Sequence, residues 1–194
     1  LIYVSMGTIF NDQLPFFRAA VDALADGPWR VVMSIGNRVD RSALWPRADR
    51  PFPRNIAVHH FVPQLDVLAS ASLCVTHGGM NTTSEALWHG VPLLVFPQHG
   101  DQHLVAARVT ELGAGLRITP PDLDPARLRA LVTRVLTEPA FRAQAETIAE
   151  SFRTALPVWV KDKLFQRSTI LSELKEFAPG IDWTNRLLFS EHHL

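Results

Sequence analysis

The sequence predicts an α/β fold in which helices cover both faces of a doubly wound parallel sheet, over roughly residues 1–155. Short apolar runs alternate with amphipathic stretches, which is the pattern of repeated strand and helix units. The runs are continuous in Val, Ile and Leu, as expected for strands buried on both faces. The predicted strands cover residues 1–5, 29–35, 56–60, 73–76, 92–96 and 115–118. The predicted helices cover residues 13–25, 63–69, 81–89, 101–112, 125–137 and 139–154. Because such sheets bind ligands at the carboxyl ends of their strands, the loops there are where a site is expected.

Residues typical of helix ends mark several of these boundaries. Gly90 and Gly113 come directly after predicted helices, where glycine commonly provides the C-terminal stop. Asp124 precedes Pro125, a pair that suits an N-cap followed by proline in the first helical turn. These signals support the order of strands and helices given above.

Composition and charge exclude several classes of protein. The chain has 194 residues, with 19 basic and 19 acidic side chains, so it lacks the basic excess typical of nucleic-acid-binding modules. A single cysteine excludes a disulfide framework, and the apolar run around Cys74 predicts a buried strand residue rather than a nucleophile. The longest apolar runs are well short of the roughly 20 residues that span a bilayer. We therefore expect a soluble, cytoplasmic protein. Because Leu1 opens directly into an apolar strand, we also expect the chain to lie within a longer reading frame.

The composition changes beyond residue 155. All of the lysines, Lys161, Lys163 and Lys175, lie in this last part, whereas the preceding residues use arginine and no lysine. The shift divides the chain into an α/β domain over residues 1–155 and a tail over residues 156–194. It favours a tail of separate origin, such as a fusion or a frameshifted end, over an ordinary C-terminal docking helix. The apolar spacing in residues 161–177 is compatible with an amphipathic helix, so we expect the tail to be helical.

The turn at Gly78 and Gly79 lies between a predicted strand and a predicted helix and carries polar residues that suggest an anion site. Adjacent glycines allow a sharp bend and let a ligand approach the backbone amides. The first turn of the following helix offers unpaired N–H groups and the positive end of the helix dipole. His77, Asn81 and Thr82 add side-chain donors. Together these residues resemble a diphosphate cradle.

Thr82 and Glu85 also have an interpretation that involves no ligand. Their spacing fits a capping box, in which both side chains bond to the backbone at the start of a helix. Taken alone, this pair favours the capping box, and His77 alone favours an ordinary histidine at a strand end. The conjunction of all these residues in one turn favours the cradle.

A second polar cluster, residues 98–103, follows the predicted strand at 92–96 and leads into a helix. His99, Asp101 and His103 are residue types that bind zinc or iron, so a metal site is one interpretation. Side chains two apart on a helix diverge, which weighs against a metal. Asp101 and Gln102 at the carboxyl end of a strand instead suit hydrogen bonds to vicinal hydroxyls of a sugar, and we prefer this interpretation.

The order and spacing of these segments resemble the donor-binding signature of the UDP-glycosyltransferase family. The matching segments are FVPQ (61–64), THGGMNT (76–82), Glu85, GVP (90–92), Pro97 and DQ (101–102). Within that family the chain is most similar to bacterial macrolide and antibiotic glycosyltransferases, over about residues 1–154, and YVSMGT (3–8) is similar to the segment that opens this region. The resemblance implies the C-terminal, donor-binding half of a GT-B fold, built on a Rossmann-like sheet.

The resemblance also implies which part of a UDP-sugar each matching residue holds. Phe61 would stack on the base, the Val62 backbone would pair with the edge of the base, and Gln64 would lie close to the nucleoside. Glu85 would accept hydrogen bonds from the ribose hydroxyls. The residues implied for the diphosphate are Thr8, His77, Asn81 and Thr82, with backbone help from Gly79 and Met80. Asp101 and Gln102 would hold the sugar hydroxyls.

By this resemblance the protein is a hexosyltransferase. It would transfer a hexose with inversion from a UDP-sugar, or less readily a dTDP-sugar, to a hydroxyl of a hydrophobic small molecule, with no metal and no cofactor beyond the donor substrate. In the family the catalytic base and the acceptor pocket belong to the N-terminal half, so we assign no catalytic residue here. We expect an N-terminal acceptor-binding domain as partner. We expect no nucleic-acid partner and no membrane span. The alternatives are a donor-binding subunit that pairs with a separate acceptor-binding chain, and a sugar-nucleotide sensor without transfer activity.

Overall fold

The computed structural model describes residues 1–7, 12–47 and 49–155, and these residues form a parallel sheet with helices on both faces. The strands are β1 (Ile2–Ser5), β2 (Val31–Ser34), β3 (Ile56–His59), β4 (Leu73–Thr76), β5 (Leu93–Val95) and β6 (Gly115–Arg117). The helices are α1 (Leu14–Leu24), α2 (Gln64–Ala69), α3 (Met80–Trp88), α4 (Gln102–Glu111), α5 (Pro125–Thr137) and α6 (Pro139–Ala155). Each predicted strand and helix is therefore present, with ends that differ by one or two residues at most boundaries. Two short 3-10 helices, Arg41–Leu44 and Pro120–Leu123, were not predicted.

The six strands of the described residues lie in the order β3-β2-β1-β4-β5-β6, and every neighbouring pair is parallel. The chain builds outwards from β1 to β3 and then returns to the centre, where β4 pairs with the other edge of β1. Ser5 is in register with Thr76 across this central pair. The predicted doubly wound parallel sheet is confirmed, and its topological switch point lies between β1 and β4.

Side chains on the two faces of the sheet pack into separate apolar cores. On one face, Ile2 and Val4 of β1 belong to a cluster with residues of α1 and α5. This cluster includes the buried pair Phe16 and Phe17 of α1. On the other face Tyr3 belongs to a cluster that draws on α2, α3 and α4. All four residues of β1 and of β4 are buried, which explains the continuous apolar runs in the sequence. The central strands are therefore rigid supports for whatever follows them.

The predicted helix ends agree well with the structure. Asp124 is the N-cap of α5, and its Oδ1 accepts a hydrogen bond from the Arg127 amide at 3.0 Å. Gly90 follows the C-cap residue of α3, and Gly113 follows the C-cap residue of α4. Both glycines have positive φ angles, +64° and +69° respectively. Cys74 is buried in β4 as predicted, and burial raises the pKa of its thiol.

Residues Leu1–Ala149 form one compact unit. The boundary at residue 155 and the helical tail over residues 156–194 remain predictions, because that tail lies outside the described residues. Thr8, implied for the diphosphate, also lies outside them. Within the described part of the chain, no helix is both long enough and apolar enough to cross a membrane.

Candidate functional site

The candidate site lies at the carboxyl ends of the two central strands. β1 leads into Gly7 and β4 leads into His77, and the register of Ser5 with Thr76 brings these two exits side by side. The direction in which the strand order grows reverses between them. Open α/β sheets bind their ligands in the crevice that this reversal creates.

The His77 imidazole is enclosed by two glycines, one after each central strand. A Cβ atom built at Gly7 would lie 2.5 Å from Cε1 of His77, and one built at Gly79 would lie 2.5 Å from Nε2. Both distances are far below normal contact, so a side chain at Gly7 or at Gly79 would displace the His77 ring. Gly78 has a φ of +89°, and a Cβ there would meet Cγ1 of Val95 at 2.7 Å. The glycine turn is therefore what the position of His77 requires.

The environment of His77 favours the uncharged form of its imidazole. Burial lowers the pKa of His77, and the nearby His99 lowers it further, while the Asp101 carboxylate partly offsets both effects. Its Nδ1 lies 3.3 Å from the hydroxyl oxygen of Thr76, a residue with no exposed surface. A neutral imidazole carries one N–H donor and one acceptor nitrogen, so His77 can donate a single hydrogen bond to an anion.

Helix α3 begins at Met80, with Gly79 as its N-cap. The first intrahelical hydrogen bond runs from the Thr83 amide to the Gly79 carbonyl at 3.0 Å, so the preceding amides have no partner within the helix. Asn81 is exposed in this first turn, whereas Thr82 is buried. The capping-box interpretation of Thr82 and Glu85 is wrong, because the helix starts two residues before Thr82 and glycine caps it.

Thr82 and Glu85 instead belong to a buried hydrogen-bond network with Gln64. The Gln64 amide nitrogen Nε2 donates to Glu85 Oε2 at 2.7 Å and lies 3.3 Å from Thr82 Oγ1. The hydroxyl of Tyr3 donates to Gln64 Oε1 at 2.8 Å. Glu85 is only 3% exposed, which is rare for a carboxylate unless it is hydrogen-bonded. The network joins β1, α2 and α3 next to the α3 N-terminus.

The loop after β3 presents an aromatic ring to solvent. Phe61 is 57% exposed, while the next residue, Val62, is partly buried against the core on the α2 and α3 side of the sheet. Two hydrogen bonds fix the backbone just before the ring: His60 Nδ1 lies 2.7 Å from the Gly36 carbonyl, and the Ser34 hydroxyl donates to the His60 carbonyl at 3.2 Å. The ring of Phe61 is thus held at the carboxyl edge of the sheet, with more than half of its surface exposed.

The loop between β5 and α4 is closed by Gln102. Its Oε1 accepts hydrogen bonds from the backbone amides of Gln98 at 2.8 Å and His99 at 3.2 Å. Asp101 is the N-cap of α4, its side chain makes no capping bond, and it is exposed. The helix therefore begins one residue later than predicted. Asp101 offers a carboxylate acceptor here, and Gln102 offers its amide nitrogen as a donor.

The metal interpretation of His99, Asp101 and His103 receives no support from the geometry. Over the described ranges, no three His, Cys, Asp or Glu side chains come together in a way that could hold a metal ion. His103 Nδ1 lies 3.0 Å from a guanidinium nitrogen of Arg117, which occupies one of its two possible ligand atoms.

Sequence reasoning missed three residues that shape the site: Tyr3, Gly7 and Thr76. Each depends on the adjacency of β1 and β4, which the chain order alone does not reveal. The single signal for Tyr3 and Gly7 was their place in the YVSMGT segment. Gln98 is a fourth residue that sequence reasoning missed. Its side-chain oxygen Oε1 lies 3.4 Å from Gln13 Nε2, and its side-chain nitrogen Nε2 is buried without a hydrogen-bond partner among the described residues.

This fold, with a crevice of glycine backbone, histidine and buried carboxylate at its switch point, is that of a glycosyltransferase C-terminal domain. Residues 32–164 match the family described as erythromycin biosynthesis protein CIII-like, C-terminal domain, and the chain belongs to that family. It is 39% identical over 155 residues to the uncharacterized UDP-glucosyltransferase YojK of Bacillus subtilis, an alignment that covers 80% of this chain and 37% of YojK. The chain thus spans little more than a third of the length of that relative.

Solved structures show the same relationship. The calicheamicin glycosyltransferase CalG4 is 34% identical to this chain, with a TM-score of 0.74 over 92% of this chain and 44% of CalG4. The glycosyltransferase VinC, solved in complex with dTDP, is 32% identical, with a TM-score of 0.66 over 80% of this chain and 38% of VinC. The resemblance to GT-B glycosyltransferases of antibiotic biosynthesis is therefore confirmed.

Proposed function

We propose that the chain is the donor-binding domain of an inverting, metal-independent hexosyltransferase that uses a UDP-sugar and glycosylates a hydroxyl of a hydrophobic small molecule. The observation that carries the proposal is the arrangement at the switch point. The His77 imidazole, the start of α3 and the buried Glu85 carboxylate follow one another along one segment at this point, which supports a site for a diphosphate and a ribose.

The diphosphate would be bound by backbone and side-chain N–H donors and by the helix dipole. The first amides of α3 have no intrahelical partner, and the positive end of the helix dipole favours an anion there. His77 would add one N–H, and Asn81 is exposed in the same turn. These groups would also stabilise the charge that develops on the nucleoside diphosphate as it leaves, which is the task a metal ion performs in other transferases. This donor set supports the proposal that the transfer needs no metal.

The two ends of the donor would meet different chemistry. The exposed face of Phe61 would stack on the base, and the buried Glu85 carboxylate would accept hydrogen bonds from ribose hydroxyls. At the other end, Asp101 would accept from a sugar hydroxyl, and the amide nitrogen of Gln102 would donate to one. The side-chain oxygen of Gln102 already accepts hydrogen bonds from two backbone amides. Asp101 would therefore serve as the acceptor and Gln102 as the donor, so their roles are not interchangeable.

The acceptor and the base that activates it would come from a segment outside this chain. Relatives are more than twice as long as the stretch that they share with it. CalG4 is a calicheamicin glycosyltransferase, and VinC was solved with dTDP. These names support a natural-product acceptor, and they keep a dTDP-sugar as the second donor class. A donor-binding subunit or a sugar-nucleotide sensor without transfer activity is the alternative function.

Calorimetric titration tests the donor site directly. UDP, UDP-glucose and dTDP are titrated in the presence of EDTA into the wild-type chain and into two histidine variants. His77→Ala removes the enclosed imidazole, whereas His89→Ala removes the C-cap residue at the opposite end of the same helix. We expect UDP binding that survives EDTA, is lost in His77→Ala and is kept in His89→Ala.

Three results would contradict the proposal or its parts. A folded wild-type chain that binds no nucleotide refutes the donor site, and binding that EDTA abolishes refutes metal independence. Tighter binding of dTDP than of UDP assigns the other donor class. Adding the N-terminal half of a relative and assaying hexose transfer from the bound donor then separates a transferase from a sensor.

A further inference from the structure

Tyr3 lies at the start of a hydrogen-bond relay that ends on Glu85. The Tyr3 hydroxyl and Gln64 Oε1 are 2.8 Å apart, and Gln64 Nε2 and Glu85 Oε2 are 2.7 Å apart. Tyr3 is 1% exposed and Glu85 is 3% exposed, so both ends of the relay are buried, while Gln64 between them is half-buried. Tyr3 comes from β1, Gln64 from the start of α2 and Glu85 from α3.

The direction of the relay follows from the chemistry of its ends. A carboxylate is an acceptor only, so the Gln64 group that faces Glu85 must be the NH2 group. Amide orientation is otherwise an assignment, and here the carboxylate settles it. Oε1 then faces Tyr3, and the tyrosine hydroxyl must be the donor in that bond. Reversing the amide would place oxygen against carboxylate oxygen.

Both directions in which the Gln64 amide nitrogen can donate are directed at protein atoms. One hydrogen points to Glu85 and the other to Thr82 Oγ1 at 3.3 Å. Gln64 can therefore influence a nucleoside by holding the Glu85 carboxylate in place. The sequence-based expectation that Gln64 acts close to the nucleoside is compatible with this indirect role.

We propose that Tyr3 is a positioning residue of the donor site, which acts through Gln64 to fix the Glu85 carboxylate that receives the ribose. The proposal rests on the donor-binding function proposed above. Members of a hydrogen-bond chain support one another, and loss of the Tyr3 hydroxyl removes the donor that orients the Gln64 amide from the β1 side. The relay thus links a strand of the sheet core to the nucleoside end of the crevice.

A double-mutant cycle tests whether Tyr3 acts through Gln64. The variants are Tyr3→Phe, Gln64→Met and the two together, and the measured quantity is the dissociation constant of UDP. We expect Tyr3→Phe to weaken UDP binding about three- to tenfold, the effect of one net hydrogen bond. In the Gln64→Met background the same substitution should change the dissociation constant by less than about twofold, because the relay is already broken.

Ile2→Val is the matched control. Ile2 is the neighbour of Tyr3 on the same strand, is also buried, and points into the opposite core. It should lower the melting temperature by about as much as Tyr3→Phe while leaving UDP binding unchanged. An equal loss of binding in Ile2→Val would mean that any weakening of the sheet core reaches the site, which would overturn the positioning role.

A spectroscopic measurement reports on the relay itself. Tyr3 is the only tyrosine of the chain, so tyrosine labelled with carbon-13 at Cζ gives a single resonance. That resonance should shift in Gln64→Met and on UDP binding, and it should stay in place in Ile2→Val. If wild type binds UDP and Tyr3→Phe binds it equally well, the positioning role fails and the donor site stands. If folded wild type binds no UDP, both proposals fail.

Discussion

The substitution Gly79→Ala tests whether the His77 ring needs the space that a glycine at position 79 leaves. Gly79 has a φ of −62° and a ψ of 139°, which alanine adopts without backbone strain, and the small cost of alanine at an N-cap is the same with and without His77. The new methyl carbon would lie 2.5 Å from Nε2 and 2.7 Å from Cε1 of His77. A Cβ built at Gly7 would also meet this edge of the ring, at 2.5 Å from Cε1, so the space beside the ring is limited towards β1 as well. Overpacking of a closed site of this kind costs about 1–3 kcal/mol.

The cost appears in the free energy of unfolding, which denaturant titration measures. In a domain of this size it corresponds to a melting temperature lowered by roughly 2–4 °C for each kcal/mol. We expect the penalty to disappear in a His77→Ala background, where the methyl group enters the space that the ring has left. We also expect Gly79→Ala to weaken UDP binding, because the displaced ring no longer faces the start of α3. An equal loss of stability with and without His77, or no loss in either, would refute the enclosure.

Three further predictions concern the charge of His77, the reactivity of Cys74 and the cap of α5. Because burial lowers the pKa of His77 in the free protein and a bound diphosphate would raise it, UDP binding should take up a proton and should strengthen as the pH falls towards the ordinary histidine pKa of about 6.5. Calorimetry in buffers of different ionisation enthalpy measures this proton uptake. The His77→Gln variant measures the part of the uptake that comes from UDP itself, and an identical pH dependence in that variant would contradict the prediction. Burial raises the pKa of the Cys74 thiol, and the Glu85 charge adds to this, so a thiol reagent should modify the chain only as it unfolds; stoichiometric modification of the native chain would show that Cys74 is accessible. Asp124→Ala should cost about 1 kcal/mol in thermal or urea unfolding, because it removes the bond to the Arg127 amide, and Asp124→Asn should cost much less.

The elements of the fold could be predicted from local pattern because the sheet is buried on both faces. The short, continuously apolar runs of β1 and β4 do not show the spacing of an amphipathic helix. Helix ends are marked by residues with specific backbone preferences, namely Asp124, Gly90 and Gly113. The start of α3 was harder. Two signals competed there, and the glycine cap at Gly79 prevailed over the capping box that begins at Thr82.

The site could be predicted only in part, since its members come from strands that are distant in the chain. His77, Gly79 and Glu85 lie in one continuous segment, so their grouping was visible in the sequence. Tyr3 and Gly7 lie some seventy residues away and reach the site because β1 pairs with β4. Which buried hydroxyl bonds to which amide is a matter of packing, and no spacing rule predicted the contact between Tyr3 and Gln64.

The loop between β5 and α4 differs from the rest of the site in how it is held. His77 and Glu85 are built into the ends and faces of buried elements, whereas Asp101 is exposed and its loop is closed mainly by Gln102 on its own backbone. Changes at Asp101 should therefore leave the folding of the domain almost untouched, while changes at Glu85 disturb the interior. With the roles proposed above for Asp101 and Glu85, the sugar that such a domain accepts could change at little cost to its stability, whereas a change of nucleotide would disturb its interior.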